Sequence, residues 1–356
     1  MADNLRQQIE EACRQVKPVE EAWLDAAQAR QLTLTKPPGS LGRLEEIGNR
    51  IAAISQTATP RSMQKRIYVV AADHGVSAEG VSAYPPEVTY QMVFNFLRGG
   101  AAINVLARHG GIEVRVVDAG VDYDFQPEEH LVSEKIVHGT ANFAREPALT
   151  HEQAECSIAV GIKLAGAAKR DRIGLLGIGD MGIGNTTAAS AITAVLAGHA
   201  PRSVTGRGTG IDDVSLAHKI AVIERAIEVN RPNKHDPIDI LAKVGGAEIG
   251  VMMGVVMGAA AERLPIVADG FISTAAAALA FAYCPHVRDY MFIAHLSEEQ
   301  GHTALIRYIG LKPLLDLKLR LGEGTGAALA MHTIEASAKL LSEMATFDDA
   351  GVSKGS

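Results

Sequence analysis

The sequence predicts an α/β fold with a parallel, Rossmann-like sheet flanked by helices, and three observations support this. Short apolar runs alternate with long Ala-rich helical segments, the pattern of βαβ units around a parallel sheet. Each apolar run carries an acid or a histidine at or near its carboxyl end, at Asp73, Asp118, Asp180, Asp269 and His295. Gly-rich turns then lead from strand-like runs into helical ones. The chain has 356 residues, more than one core usually accommodates, so one large domain with a smaller appendage is expected.

Taken in order, roughly the first 35 residues read as helix, with Trp23 and the Leu and Ala positions on one face. KPPGSLGRLE (36 to 45) follows as a Pro-Pro turn, with Ser40 placed to cap the next helix and Lys36 and Arg43 as cations. The strand candidates are RIYVVAAD (66 to 73), EVRVVDAG (113 to 120), RIGLLGIGD (172 to 180), RLPIVADG (263 to 270) and YMFIAH (290 to 295). Helical spacing recurs over 88 to 108, 151 to 170, 186 to 198, 213 to 230, 238 to 260 and 272 to 283. A last helical segment, 326 to 346, is placed to pack with the first. Residues 1 to 35 plus 326 to 356 are thus expected to form a small helical domain, and 36 to 325 the large α/β domain.

Composition narrows the class of function. The net charge of −7 comes without basic clusters and aromatics are 4% of the chain, which argues against nucleic-acid binding. The longest apolar stretches are too short and Gly-broken to span a bilayer, and the N-terminus lacks the pattern of a signal peptide, so a soluble cytoplasmic protein is expected. Cys13, Cys156 and Cys284 are odd in number and far apart, suggesting neither a disulfide framework nor a metal site.

Three Gly-rich loops are candidates for chemistry. GIGDMG (177 to 182) has the letters of a dinucleotide fingerprint, but no Asp or Glu occurs between Asp180 and Asp212 to hold a ribose, which disfavours a dehydrogenase. What remains is a strand-to-helix turn through Gly179, Gly182, Asn185 and Thr186 that offers backbone N–H groups and a dipole end to a phosphate, or simply a capped tight turn. TGRGTGIDD (205 to 213) brings Gly206 and Gly208 near Lys219 on the next helix, a second anion site or a plain surface turn. LGEGTGAALA (321 to 330) sets Glu323 between Gly322 and Gly324 ahead of a helix. Spacing alone reads this Glu as a helix N-terminal residue favoured by the dipole.

Taken together, KPPGSLGRLE, AADHGVSAEGVSAYP, GIGDMGIGNTT, TGRGTGIDD, VNRPNKHDPIDILAKVGG, ADGFIS and RLGEGTGAALAM closely resemble the nicotinate-nucleotide:dimethylbenzimidazole phosphoribosyltransferase family. The seven motifs stand in order over nearly the whole chain. The resemblance implies transfer of 5-phosphoribose from nicotinate mononucleotide to a benzimidazole-type base for the lower ligand of cobalamin, by a homodimer with no cofactor or metal. It implies Glu323 as catalytic base and Asp180 at the family's second acid, where the family carries Glu. It further implies a base pocket at Tyr84, Met92, Met181 and Leu321, where some relatives have Ser and Gln at the places of Tyr84 and Met92. Asp73 is expected near the base, Asp269 at the ribose hydroxyls, and Lys219 with Gly324 near the nucleotide. The rival expectations are a nucleotide hydrolase, a non-catalytic nucleotide or ribazole sensor, and the disfavoured dehydrogenase.

Overall fold

The computed structural model describes residues 2–60 and 63–353. Its centre is a parallel sheet in the order β3-β2-β1-β4-β5-β6. The strands are β1 Gln64–Ala72, β2 Ile112–Gly120, β3 Leu131–Ser133, β4 Ile173–Met181, β5 Ile266–Ala268 and β6 Met291–Ile293. In β1 every residue after Gln64 is buried, as an apolar run does when helices cover both faces of a strand. The five expected strands are present. β3 is additional, an edge strand of three residues whose LVS is too short to show a period against the loop around it.

Helices cover the sheet in two groups. Ala247–Ala261 lies against β1, β2 and β4, with His151–Arg170 and Ala2–Gln15 packed over it. Thr325–Glu343 lies against β1, β4 and β5, with Arg43–Ser55 and Ala102–Gly110 packed on it. Glu21–Thr33 joins the second group through a small buried cluster of Ala27, Ala52 and Leu341. Ala247–Ala261 and His151–Arg170 cross at very short range. A Cβ on Gly254 would stand 2.0 Å from Ile158 O, so only glycine lets the two backbones approach so far.

Two expected helices are each broken by a glycine pair. The segment 88 to 108 divides into Val88–Leu97 and Ala102–Gly110 around Gly99, whose φ is +76°, and Gly100. The segment 238 to 260 divides into Pro237–Val244 and Ala247–Ala261 at Gly245 and Gly246. Ser40 caps nothing: its N–H donates to Pro37 O within the turn, and Gly42 occupies the N-cap of Arg43–Ser55. Gln300–Ile309 is a helix absent from the sequence expectation. No described helix is long and apolar enough to cross a membrane.

The sheet grows outward from β1 in one direction through β2 and β3, and from β4 in the other through β5 and β6. Chain direction therefore switches between β1 and β4, and the crevice opens beyond the carboxyl ends of those two strands.

Candidate active site

β4 leads into the crevice through Gly179, Asp180 and Met181. A Cβ on Gly179 would lie 2.3 Å from Gly324 N and 2.4 Å from the Glu323 carbonyl carbon, so glycine there allows the 322 to 324 loop to rest directly on the strand. Glu323 N donates to Asp180 O at 3.3 Å, tying that loop to β4. Gly322, Glu323 and Gly324 have φ of +87°, +64° and +90°. Glu323 thus holds a left-handed conformation that is natural for its neighbours and unfavourable for a side chain, an arrangement concentrated at functional sites.

Asp269, at the end of β5, keeps this strained loop in place. Its Oδ2 accepts from Gly324 N at 3.1 Å and its Oδ1 from Ala327 N at 2.8 Å, so one buried carboxylate caps the N-terminus of Thr325–Glu343. The Glu323 side chain is left almost free. Its Oε2 accepts from Ile103 N at 3.3 Å, it is 6% exposed, and it lines a cavity of about 700 Å³. Burial raises the Glu323 carboxyl above the usual range; the Ile103 N–H opposes this, and the nearby Asp269 adds to it.

Asp180 faces the same cavity. Its Oδ2 accepts from Asn185 Nδ2 at 2.9 Å, while its buried Oδ1 has no hydrogen-bond partner. Burial above all, then the acids Asp269, Glu248 and Glu323, push its pKa up to about 8, against the pull of Asn185. Such a shift favours the protonated form of Asp180 at neutral pH. Glu248 itself pairs with His74, Oε1 to Nε2 at 2.6 Å, fully buried behind the turn at Gly182.

The cavity is also lined by the start of a helix and by the 205 to 213 loop, through Asn185, Thr186, Gly208 and Thr209. Helix Asn185–Ala197 begins there with Gly184 at its N-cap, φ +100°, and no side-chain cap; Asn185 N and Thr187 N donate to Gly182 O at 3.1 Å and Gly184 O at 2.9 Å within the turn. Lys219, buried in Asp213–Asn230, donates from Nζ to Thr186 Oγ1 at 2.8 Å, beside Gly208. Burial lowers its pKa to about 8, and the negative charge of Glu299 partly offsets this.

Of the residues expected from sequence, Tyr84, Met92, Met181, Leu321, Asp180, Glu323, Gly182, Asn185, Thr186 and Gly208 line this one cavity. Tyr84 and Leu321 stand exposed at its mouth, 55% and 58% accessible. Gly179 and Gly324 lie under the Glu323 loop, Lys219 behind Thr186, and Gly206 against Glu299. Asp269 does not line the cavity, and both its oxygens are taken by the helix it caps. Asp73 stands outside the lining too: its Oδ2 accepts from Asp122 N at 2.9 Å, at the end of β1. Sequence reasoning missed Thr209, Ser297, Glu299, Lys318 and Arg320 as lining residues, and passed over the buried pair His74 and Glu248. Arg320 adjoins the LGEG motif and Thr209 lies within TGRGTG, so those two carried a signal. Glu299 belongs to no motif.

Comparison with known proteins agrees with this geometry. The model of a phosphoribosyltransferase family matches residues 16–352. A Geobacter sp. (strain M21) protein named nicotinate-nucleotide:dimethylbenzimidazole phosphoribosyltransferase is 58% identical over 344 residues, covering 97% of this chain and 99% of the relative. A protein of the same name from Chloroflexus aurantiacus is 54% identical over 346 residues, 97% and 99% of the two chains. The crystal structure of CobT from Thermus thermophilus superposes with a TM-score of 0.90 at 47% identity, covering 94% of this chain and 100% of that one. With the sheet, the crevice and the Gly-bounded Glu all in place, the chain belongs to the nicotinate-nucleotide:dimethylbenzimidazole phosphoribosyltransferase family.

Proposed function

We propose that this chain transfers the 5-phosphoribosyl group of nicotinate mononucleotide to 5,6-dimethylbenzimidazole or a related base, with Glu323 as the general base. The products are α-ribazole 5′-phosphate, which serves the nucleotide loop of cobalamin, and nicotinate. One observation carries the reading: a strained, nearly unshared Glu323 carboxyl faces the cavity that is also lined by Asn185, Thr186 and Gly208 and by Tyr84, Met92, Met181 and Leu321.

Nicotinate leaves the anomeric carbon as a neutral ring nitrogen once the pyridinium charge is relieved, so its departure needs no general acid. The incoming azole does need help. As one ring nitrogen attacks, positive charge grows on the ring and the other N–H becomes acidic. The Glu323 carboxylate accepts that proton, a task suited to a carboxyl raised toward working pH. Attack opposite the leaving group inverts the carbon, and the β-nucleotide gives an α-riboside. Asp180, protonated at neutral pH, is a hydrogen-bond donor in this scheme, leaving Glu323 as the anion beside the developing oxocarbenium charge.

The phosphate lies at the turn of Gly182, Asn185 and Thr186 and the loop of Gly206 and Gly208, with Lys219 supplying positive charge through the floor. Tyr84, Met92, Met181 and Leu321 hold the flat base. Asp73, behind them, supports the β1 end of that wall. The reading includes a cytoplasmic homodimer without a cofactor; sedimentation checks the assembly.

Incubation with nicotinate mononucleotide and a panel of bases, with products identified by mass, tests the function. A riboside phosphate formed only when a base is present supports transfer. Nicotinate released without a base points to a hydrolase, and no turnover with retained binding points to a sensor.

A further inference from the structure

The ribose needs a recognition group, and the acid expected there, Asp269, lies outside the cavity lining with each oxygen turned to a backbone N–H of the helix start it caps. A different carboxylate lies in the cavity wall. Glu299 precedes helix Gln300–Ile309 and is 7% exposed. Its backbone is fixed on both sides, with Glu299 N donating to Ser297 Oγ at 3.3 Å and Glu299 O accepting from His302 N at 3.0 Å. His302 is itself held by Ser297 N at 2.9 Å and Thr274 Oγ1 at 2.9 Å, so the segment that presents Glu299 is locked.

The side chain is not satisfied. Buried Oε2 has no hydrogen-bond partner, and it sits where a Cβ on residue 206 would be, 2.1 Å away, so Gly206 is the residue that leaves it room. An unpartnered buried carboxylate oxygen is costly unless a donor arrives with a ligand. Ionised carboxylates only accept hydrogen bonds, and so does an ionised phosphate, so the anion end of the nucleotide cannot be its complement. In nicotinate mononucleotide the nicotinate carboxylate and the pyridinium ring offer no N–H or O–H. The remaining donors are the 2′- and 3′-hydroxyls of the ribose.

We propose that Glu299 determines specificity for the ribose by accepting a hydrogen bond from one of these hydroxyls. The inference rests on the phosphoribosyl transfer described above. Its place in the wall fits: Glu299 stands beside Gly206 and within electrostatic reach of Lys219, next to the proposed phosphate loop. A ribose whose 5′-phosphate occupies that loop brings its hydroxyl edge close by.

The test compares kcat/KM for nicotinate mononucleotide with its 2′-deoxy and 3′-deoxy analogues, in the parent protein and in Glu299→Ala and Glu299→Gln. The parent is expected to lose roughly tenfold or more on removal of one hydroxyl, the scale of a charge-assisted hydrogen bond. In Glu299→Ala the same removal should cost less than about threefold, because the partner is already gone. Glu299→Gln, which keeps one acceptor and nearly the same shape, should fall between them; it also serves if the alanine variant folds poorly. Equal penalties for hydroxyl removal in the parent and in both variants would overturn the assignment and leave Glu299 as a countercharge to Lys219. If the parent forms no riboside from the intact nucleotide, the transferase reading fails and this inference fails with it.

Discussion

Asp180 and Asp269 are the same residue type, both buried, both at the carboxyl edge of the sheet, and the structure uses them in different ways. Asp269 gives each oxygen a backbone N–H of the loop and helix start that carry Glu323. Asp180 shares one oxygen with Asn185 and leaves the other unpaired beside the cavity. Burial alone therefore does not tell the two apart. Unspent hydrogen-bonding capacity next to a cavity does, and by that measure Glu323 and Glu299 group with Asp180, while Asp269 is a clamp.

The largest expected effect sharpens this division. Glu323→Gln removes the proton acceptor and keeps the shape, so turnover should fall roughly 100-fold or more, the scale of a lost general base, with nicotinate mononucleotide binding retained. The sign of the pH dependence follows from the raised carboxyl: only its ionised form accepts a proton, so the parent's rate should rise with pH through the Glu323 pKa. The variant should lack that rise. Near-normal turnover in Glu323→Gln would take the residue out of the role.

Asp269→Asn probes the clamp. The new amide turns an N–H toward the helix N-terminus, where N–H groups already point. Stability in denaturant should drop by about 1–3 kcal/mol, the cost of a buried unsatisfied donor. Turnover should fall as the Glu323 loop loosens, with affinity for the nucleotide phosphate little changed. Unaltered stability would mean that the cap contributes nothing net, and the contrast between the two aspartates would lose its meaning.

The smallest effect belongs to Asp180→Asn. Folded Asp180 keeps its proton up to about pH 8, whereas an unfolded aspartate releases it at about pH 4. Between those values the unfolded chain binds fewer protons than the folded one, so this group makes the parent less stable as pH rises. The asparagine variant has no such proton. Its melting temperature relative to the parent should climb from about pH 5 to about pH 8 and then level off, with turnover at neutral pH within about tenfold of the parent because the side chain remains a neutral donor. A difference in melting temperature that does not vary with pH would show that Asp180 is ionised in the fold.

The strands were legible because β1, β2 and β4 each carry a run of small and aliphatic residues through the half that is buried on both faces. The helix boundaries were less so. Gly99–Gly100 and Gly245–Gly246 each stand within an apolar period that continues past them, so periodicity alone joined two helices into one. Among the site residues, those inside Gly-rich motifs could be found, because a glycine loop shows where the backbone must bend. Glu299 and the pair His74 and Glu248 could not be singled out. Their importance comes from what meets them across the fold, Gly206 for the first and the turn at Gly182 for the second.

The sequence by itself determined the alternation of strand and helix, the acids at the strand ends and the glycines on either side of Glu323, since these depend on local backbone preference and on the order of apolar residues. Only the tertiary structure decided which acid is spent and which is free. Residue type does not distinguish the acids Asp180, Asp269, Glu299 and Glu323; their roles diverge because hydrogen-bond donors brought together by the fold reach some of their oxygens and not others.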